Sequence, residues 1–173
     1  AIDFDVNQES LSIATPCRIR LRENRKIELT GNLCLRGNEE VTILPGSTIE
    51  VQDLAIYSKN KIVIRENADV EARDILLHSE GANLNSNVHL RHTSSYKAQN
   101  LQLIAHAKAT LGHTSTYQIA SNLKIKSNDY ELASVWKNTK IEANYFELLA
   151  NTRALIAQGV EIDASTIKLE AKE

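Results

Sequence analysis

No methionine occurs among the 173 residues, so the expected origin of a chain that opens at Ala1 is a processed or excised segment. Long apolar runs are missing too. None approaches the roughly 20 residues that a membrane-spanning helix needs, and no basic-then-apolar leader opens the sequence, so membrane insertion is not expected. Charge of one sign is not in excess: 20 Lys and Arg stand against 22 Asp and Glu, a net charge of −2. That balance argues against nucleic acid and against an anionic membrane surface as partners. The one basic stretch, Arg18, Arg20, Arg22, Arg25 and Lys26, alternates its first arginines with Ile19 and Leu21. This is the pattern of an outward strand face rather than of a binding footprint. Proline is limited to Pro16 and Pro45, as internal β-ladders require.

What the sequence does contain is a repeat. A segment of about ten residues returns eight times, starting at Leu11, Leu33, Leu54, Ile75, Leu101, Leu123, Phe146 and Ile167, at intervals of 22, 21, 21, 26, 22, 23 and 21. Two residues after each start comes Ile13, Leu35, Ile56, Leu77, Leu103, Ile125, Leu148 or Leu169, and two further on Thr15, Gly37, Ser58, Ser79, Ala105, Ser127, Ala150 or Ala171. Alternation with period two marks strands, and self-similarity at this spacing marks a solenoid whose coils bury their apolar faces against one another. The small residue closing each segment fits a corner inside a narrow prism. Cys17 and Cys34, the only cysteines, fall six residues and one residue after their starts, so they share no column and no disulfide is expected.

Two further strands fit most coils. Ile19/Leu21, Val41/Ile43, Ile62/Ile64, Ala109/Leu111 and Ala154/Ile156 follow the start by eight and ten residues, with Ala82/Leu84 and Tyr130/Leu132 shifted by one. Ile49/Val51, Val70/Ala72, Tyr96/Ala98, Ile141/Ala143 and Ile162/Ala164 precede the next start by five and three. The expected fold is therefore all-β, a single-stranded parallel β-helix or β-solenoid of about eight coils of 21–26 residues with three short strands each. The uneven coil length favours the right-handed form. The residues just before the starts are Asn or Asp in five of eight cases, which suits side chains that bond one another up the stack. Residues 1–173 are read as a single solenoid domain, with a coil insertion over 85–98 in the longest interval. Phe4 and Val6 already alternate, and Ala171 nearly ends the chain, so a slice of a longer solenoid, or a unit that stacks end to end, is expected.

Extra chain at one corner is where solenoids carry function. His92-Thr93-Ser94-Ser95-Tyr96 is followed 21 residues later by His113-Thr114-Ser115-Thr116-Tyr117, and Trp136 lies ten residues before its next start as His113 does. These side chains are read as one edge, with His92, Tyr96, His113, Tyr117 and Trp136 as ligand-binding candidates for a glycan or a host-surface protein. A hydroxyl and aromatic ladder that merely completes a corner remains the alternative. Stacked His92 and His113 have no third ligand in their column, so no metal or other cofactor is expected. Asp53 and Asp74 share a position in successive coils, as do Glu50, Glu71, Glu142 and Asp163. Such repetition contrasts with the single asymmetric cluster that catalysis needs, and no catalytic residue is assigned. Leu76, Ile104 and Leu149 stand on the outward side of the first strand and are candidates for a partner-facing patch.

Copies such as Ala98-Gln99-Asn100-Leu101-Gln102-Leu103-Ile104-Ala105 and Ile162-Asp163-Ala164-Ser165-Thr166-Ile167-Lys168-Leu169-Glu170-Ala171 resemble the repeats of filamentous-haemagglutinin-like adhesins and related secreted β-helical passengers. The likeness spans residues 11 to 171. This chain departs from the family in having only six glycines and none of the Asn-Pro motifs of the family's secretion domain. The resemblance implies a non-enzymatic piece of shaft in a larger secreted or cell-surface protein. A second likeness, to bactofilin-like cytoskeletal solenoids, implies end-to-end self-association. A polysaccharide-active β-helix is the third expectation.

Overall fold

The computed structural model describes residues 9–128 and 132–172; Phe4, Val6 and Tyr130 lie outside them. It is all-β, eighteen strands without a helix among the described residues, and the strands pair in parallel as a stacked solenoid. One wall runs through Leu11–Thr15, Leu33–Gly37, Asp53–Ser58, Asp74–Ser79, Ser95–Ala105, Thr116–Ser127, Lys140–Ala150 and Glu161–Ala171 in that order. These eight strands bound seven turns. A second wall of seven strands follows the same sequence order, from Arg18–Leu21 to Arg153–Ile156.

Register follows the repeat. Leu33 pairs with Leu11 and Leu54, Ile75 with Leu54 and Leu101, and Leu123 with Leu101 and Phe146. Period-two alternation puts that column, and the one two residues on, inside. Leu35, Ile56, Leu77, Leu103, Ile125 and Leu148 are all fully buried. A strand of one coil exposes its whole inner face until the next coil covers it, so the core exists only between rungs.

The third strand of each coil changes character along the molecule. Lys26–Glu28, Thr48–Glu50 and Asp69–Glu71 are separate short strands. From Ser95 onward the third strand runs into the next first strand, giving continuous strands of 11 or 12 residues. Three strands per coil thus describes the first part of the solenoid, and two describes the rest. In Thr116–Ser127 the bend carries a bulge: the register shifts between Ile119 and Asn122, where Ala120 and Ser121 face a single residue of each neighbouring strand, Gln99 and Asn144. Such a bulge bends the strand and re-aims its side chains.

The five extra residues of the longest coil lie within 80–86, which overlaps the expected insertion over 85–98 only at Asn85 and Ser86. Asn87 pairs with Lys61 and Lys108, whereas Ser79 pairs with Ser58. The connection over 80–86 therefore replaces the two residues, Lys59 and Asn60, that join the equivalent strands one coil below. Residues 87 to 98 belong to regular rungs.

Ladders lock the corners. Asn122 Nδ2 donates to Asn100 Oδ1 (2.8 Å) and Asn100 Nδ2 to Asp74 Oδ1 (2.7 Å), the vertical bonding expected of that column. The Ser58, Ser79 and Ser127 hydroxyls turn inward and bond backbone carbonyls of the adjoining coil. At the corner after the second wall every coil places one residue in the left-handed region: Asn24, Gly46, Asn67, Thr93, Thr114, Asn138 and Gly159, with φ between 54° and 75°. The next residue carries a buried hydroxyl in four coils, Ser47, Ser94, Ser115 and Thr139, each bonded to a carbonyl of its own turn.

Candidate functional site

The left-handed corner turns the residue before it outward, and in two successive coils that residue is histidine. His92 and His113 stack with ring centroids 4.7 Å apart and planes 17° apart. Each imidazole Nδ1 meets the hydroxyl of the threonine that follows, at 3.2 Å to Thr93 and 3.3 Å to Thr114. Thr93 also donates to Asn67 Oδ1 one coil below (2.8 Å). A β-branched residue at positive φ is an uncommon conformation, and here it occurs on adjacent rungs.

The other members of the sequence-derived edge go elsewhere. Tyr96 and Tyr117 are fully buried and stack on each other inside the solenoid, centroids 5.0 Å apart and planes 4° apart. Their parity decides this, since both alternate in phase with the inward residues Ala98 and Ile119. Burial, the largest influence, pushes both phenols' pKa up. Neither phenol oxygen has a hydrogen-bond partner, and neither can reach a ligand on the surface. Trp136 is 42% exposed, but it sits above Gly112, because Leu111 pairs with Val135. The residue stacked on His113 is Lys137, whose carbonyl accepts from the Thr114 amide (2.9 Å). The bulge at Ala120 and Ser121 causes the offset: pairing runs 24 residues apart before it and 23 after. A count back from the coil starts therefore misses by one.

Leu76, Ile104 and Leu149 are half-buried and form no single patch. Ile104 lies between His78 and Lys126, Leu149 beyond Lys126, and Leu76 in the neighbouring column between Ala55 and Gln102. Lower in the Ile104 column, the Arg36 guanidinium lies 4.3 Å over the Tyr57 ring. It also binds both carboxylate oxygens of Glu80, at 3.0 and 2.7 Å. Two coils are stapled there by the first residue of the long connection.

The stacked carboxylates are held in place. Arg73 binds both oxygens of Asp53, at 3.0 and 2.6 Å, and approaches Asp74 at 3.4 Å. Sequence reasoning missed this cation, although Arg73 directly precedes Asp74 and lies one coil after Asp53. Glu147 is nearly buried on the outer face. Burial alone would raise its pKa, but the Tyr145 hydroxyl at 2.9 Å, Lys168 and Lys124 hold it below the usual carboxylate value. Both clusters pair charge with charge across rungs. No group of three or more metal-ligating side chains occurs among the described residues.

One concave surface escaped the sequence reading. Outside the bend where third strand meets first runs a groove of about 850 Å³, reaching from Val51 to Ser165. The backbone of the bend at Ala98, Ile119 and Ala143 lies under it, with the first two side chains turned into the core, and the bulged, exposed Ala120 sits in its middle. No family model, curated protein or solved structure matches the chain.

Proposed function

We propose that this chain is a structural segment of a larger secreted or cell-surface protein, a stiff shaft of the kind the adhesin-like repeats suggested. The observation that carries the reading is the unbroken parallel pairing from Leu11 to Ala171. Hydroxyl and amide ladders at the corners tie each coil to the next, so bending the rod means breaking many bonds at once. The test is a distance measurement. Deleting residues 54–74 joins Asp53 to Ile75 in register, and should shorten the separation of labels at the two ends by one rung, about 4.8 Å, with no broadening. A broad or unshifted distance distribution would sink the shaft.

A second reading, an adhesive edge, is favoured by the outward His92–His113 stack with Trp136 exposed nearby. An imidazole pair presents hydrogen-bonding nitrogens and an indole presents an apolar face, a combination suited to a sugar ring. A glycan array probed with the chain and with Trp136→Ala decides it. Signal in the first and loss in the second supports the edge, and silence in both removes it.

A further inference from the structure

We propose that the groove along the outside of the bend binds a neutral linear polysaccharide lying parallel to the solenoid axis. The proposal stands apart from the shaft reading and concerns a different face from the His92 edge. The groove crosses six rungs from Val51 to Ser165, five steps, or roughly 24 Å at the spacing of paired strands. A polar, alanine, polar triplet recurs at 71–73, 97–99, 142–144 and 163–165, so the surface suits a polymer with its own short axial repeat better than a compact ligand.

The lining selects the class of polymer. On one rim Gln118, Glu142 and Asp163 follow one another in register, and on the other stand Gln99 and Asn144. All five are exposed and engage no side-chain partner among the described residues. Between them the floor is the backbone of the bend with the exposed methyl of Ala120 and the half-buried Ala143, while the Ala98 and Ile119 side chains turn beneath it into the core. A sugar ring has the matching distribution, hydroxyls around its edge and C–H groups on its faces. The bulge at Ala120–Ser121 falls at the centre of this surface, where bulges commonly re-aim side chains next to a site.

Two other occupants fit less well. The cations of the groove are already taken, Lys97 by Glu71 at 2.7 Å and Arg73 by Asp53, which leaves Glu142 and Asp163 to repel an anionic chain. A peptide gains affinity by adding a strand to a free sheet edge, and here every groove strand from Asp69–Glu71 to Lys140–Ala150 is paired on both sides.

Native gels cast with a soluble neutral β-glucan, a neutral mannan or anionic polygalacturonate test the proposal on the whole chain. Retardation is expected in at least one neutral gel, undiminished by high salt, and none in polygalacturonate. Ala120→Arg fills the groove from an exposed position and should abolish retardation, while Gln99→Ala with Gln118→Ala, two exposed changes that leave the core intact, should weaken binding about tenfold. Trp136→Ala should leave it unchanged, which separates this surface from the edge. The proposal is overturned by free migration in both neutral gels, by equal retention in polygalacturonate, by retardation that Ala120→Arg does not abolish or the glutamine pair does not weaken, or by extended peptides competing for the same surface.

Discussion

Tyr96 and Tyr117 show what a single side chain contributes to this molecule. Each fills the core with a ring stacked on its neighbour, and each carries a hydroxyl that gave up water without gaining a partner. Losing an unpaired buried hydroxyl relieves its desolvation cost, so Tyr117→Phe is expected to raise stability by about 1 kcal/mol in urea unfolding; a loss of that size would mean the hydroxyl is bonded after all. His89 tells the opposite story on the second wall, between Val63 and Thr110. Burial first, then the charges of Arg91, Lys61 and Lys108, pushes its pKa down to about 4. Above the ordinary histidine value of about 6.5 both folded and unfolded chains hold it neutral; as pH falls from there toward about 4, only the unfolded chain takes up the proton, and stability drops by up to about 3 kcal/mol. His89→Thr should shrink the fall in urea midpoint between about pH 7 and about pH 4, and an equal fall in both proteins would remove His89 from the acid response. At this scale the sequence was legible where parity was counted. Tyr96 stands five residues before Leu101, an inward position, and that count outranks the resemblance between its segment and the His113 segment.

Strands and corners were legible to different degrees. The walls could be read because burial on one face forces alternation, and register followed from the columns. The left-handed corner could not, because Asn, Gly and Thr all occupy it and share no hydrophobicity signal. It carries a measurable consequence at Thr114, whose branched Cβ is costly at positive φ. Thr114→Asn, the choice made at three other coils, is expected to stabilise by about 1 kcal/mol, read as a raised melting temperature; an unchanged or lower one would show that the contact with His113 outweighs the strain. Gly112 sets the opposite constraint. An added Cβ would lie 2.3 Å from the Arg91 carbonyl carbon, so Gly112→Ala should cost several kcal/mol, about 3 by analogy with overpacked cores, and should expose the neighbouring rungs to hydrogen exchange. The groove was invisible for a related reason: it follows the outside of a bend, which period-two alternation does not mark, and at its centre a bulge puts Ala120 and Ser121 one residue out of phase with the columns.

The whole molecule behaves as a line of interchangeable units. Interior rungs are covered on both sides, while at the last rung Ile167 is 48% and Leu169 53% exposed, beside Leu155 and Ile156. Amide protection should therefore peak in the central coils and decline toward Glu161–Ala171. Light scattering on the 173-residue chain should show mass rising with concentration, because an apolar rung with free backbone groups recruits another strand; Ile167→Lys with Leu169→Lys should suppress the rise. A monodisperse monomer at all concentrations would refute this. Interchangeability also carries a hazard, since eight similar strands can zip together one place out of step while burying nearly the same surface. The seven-residue connection over 80–86 removes that degeneracy. A shifted alignment would set its slack beside strands joined by only two residues, and would part Glu80 from Arg36. The irregular coil thus acts as an index mark, giving a periodic chain one place from which to count.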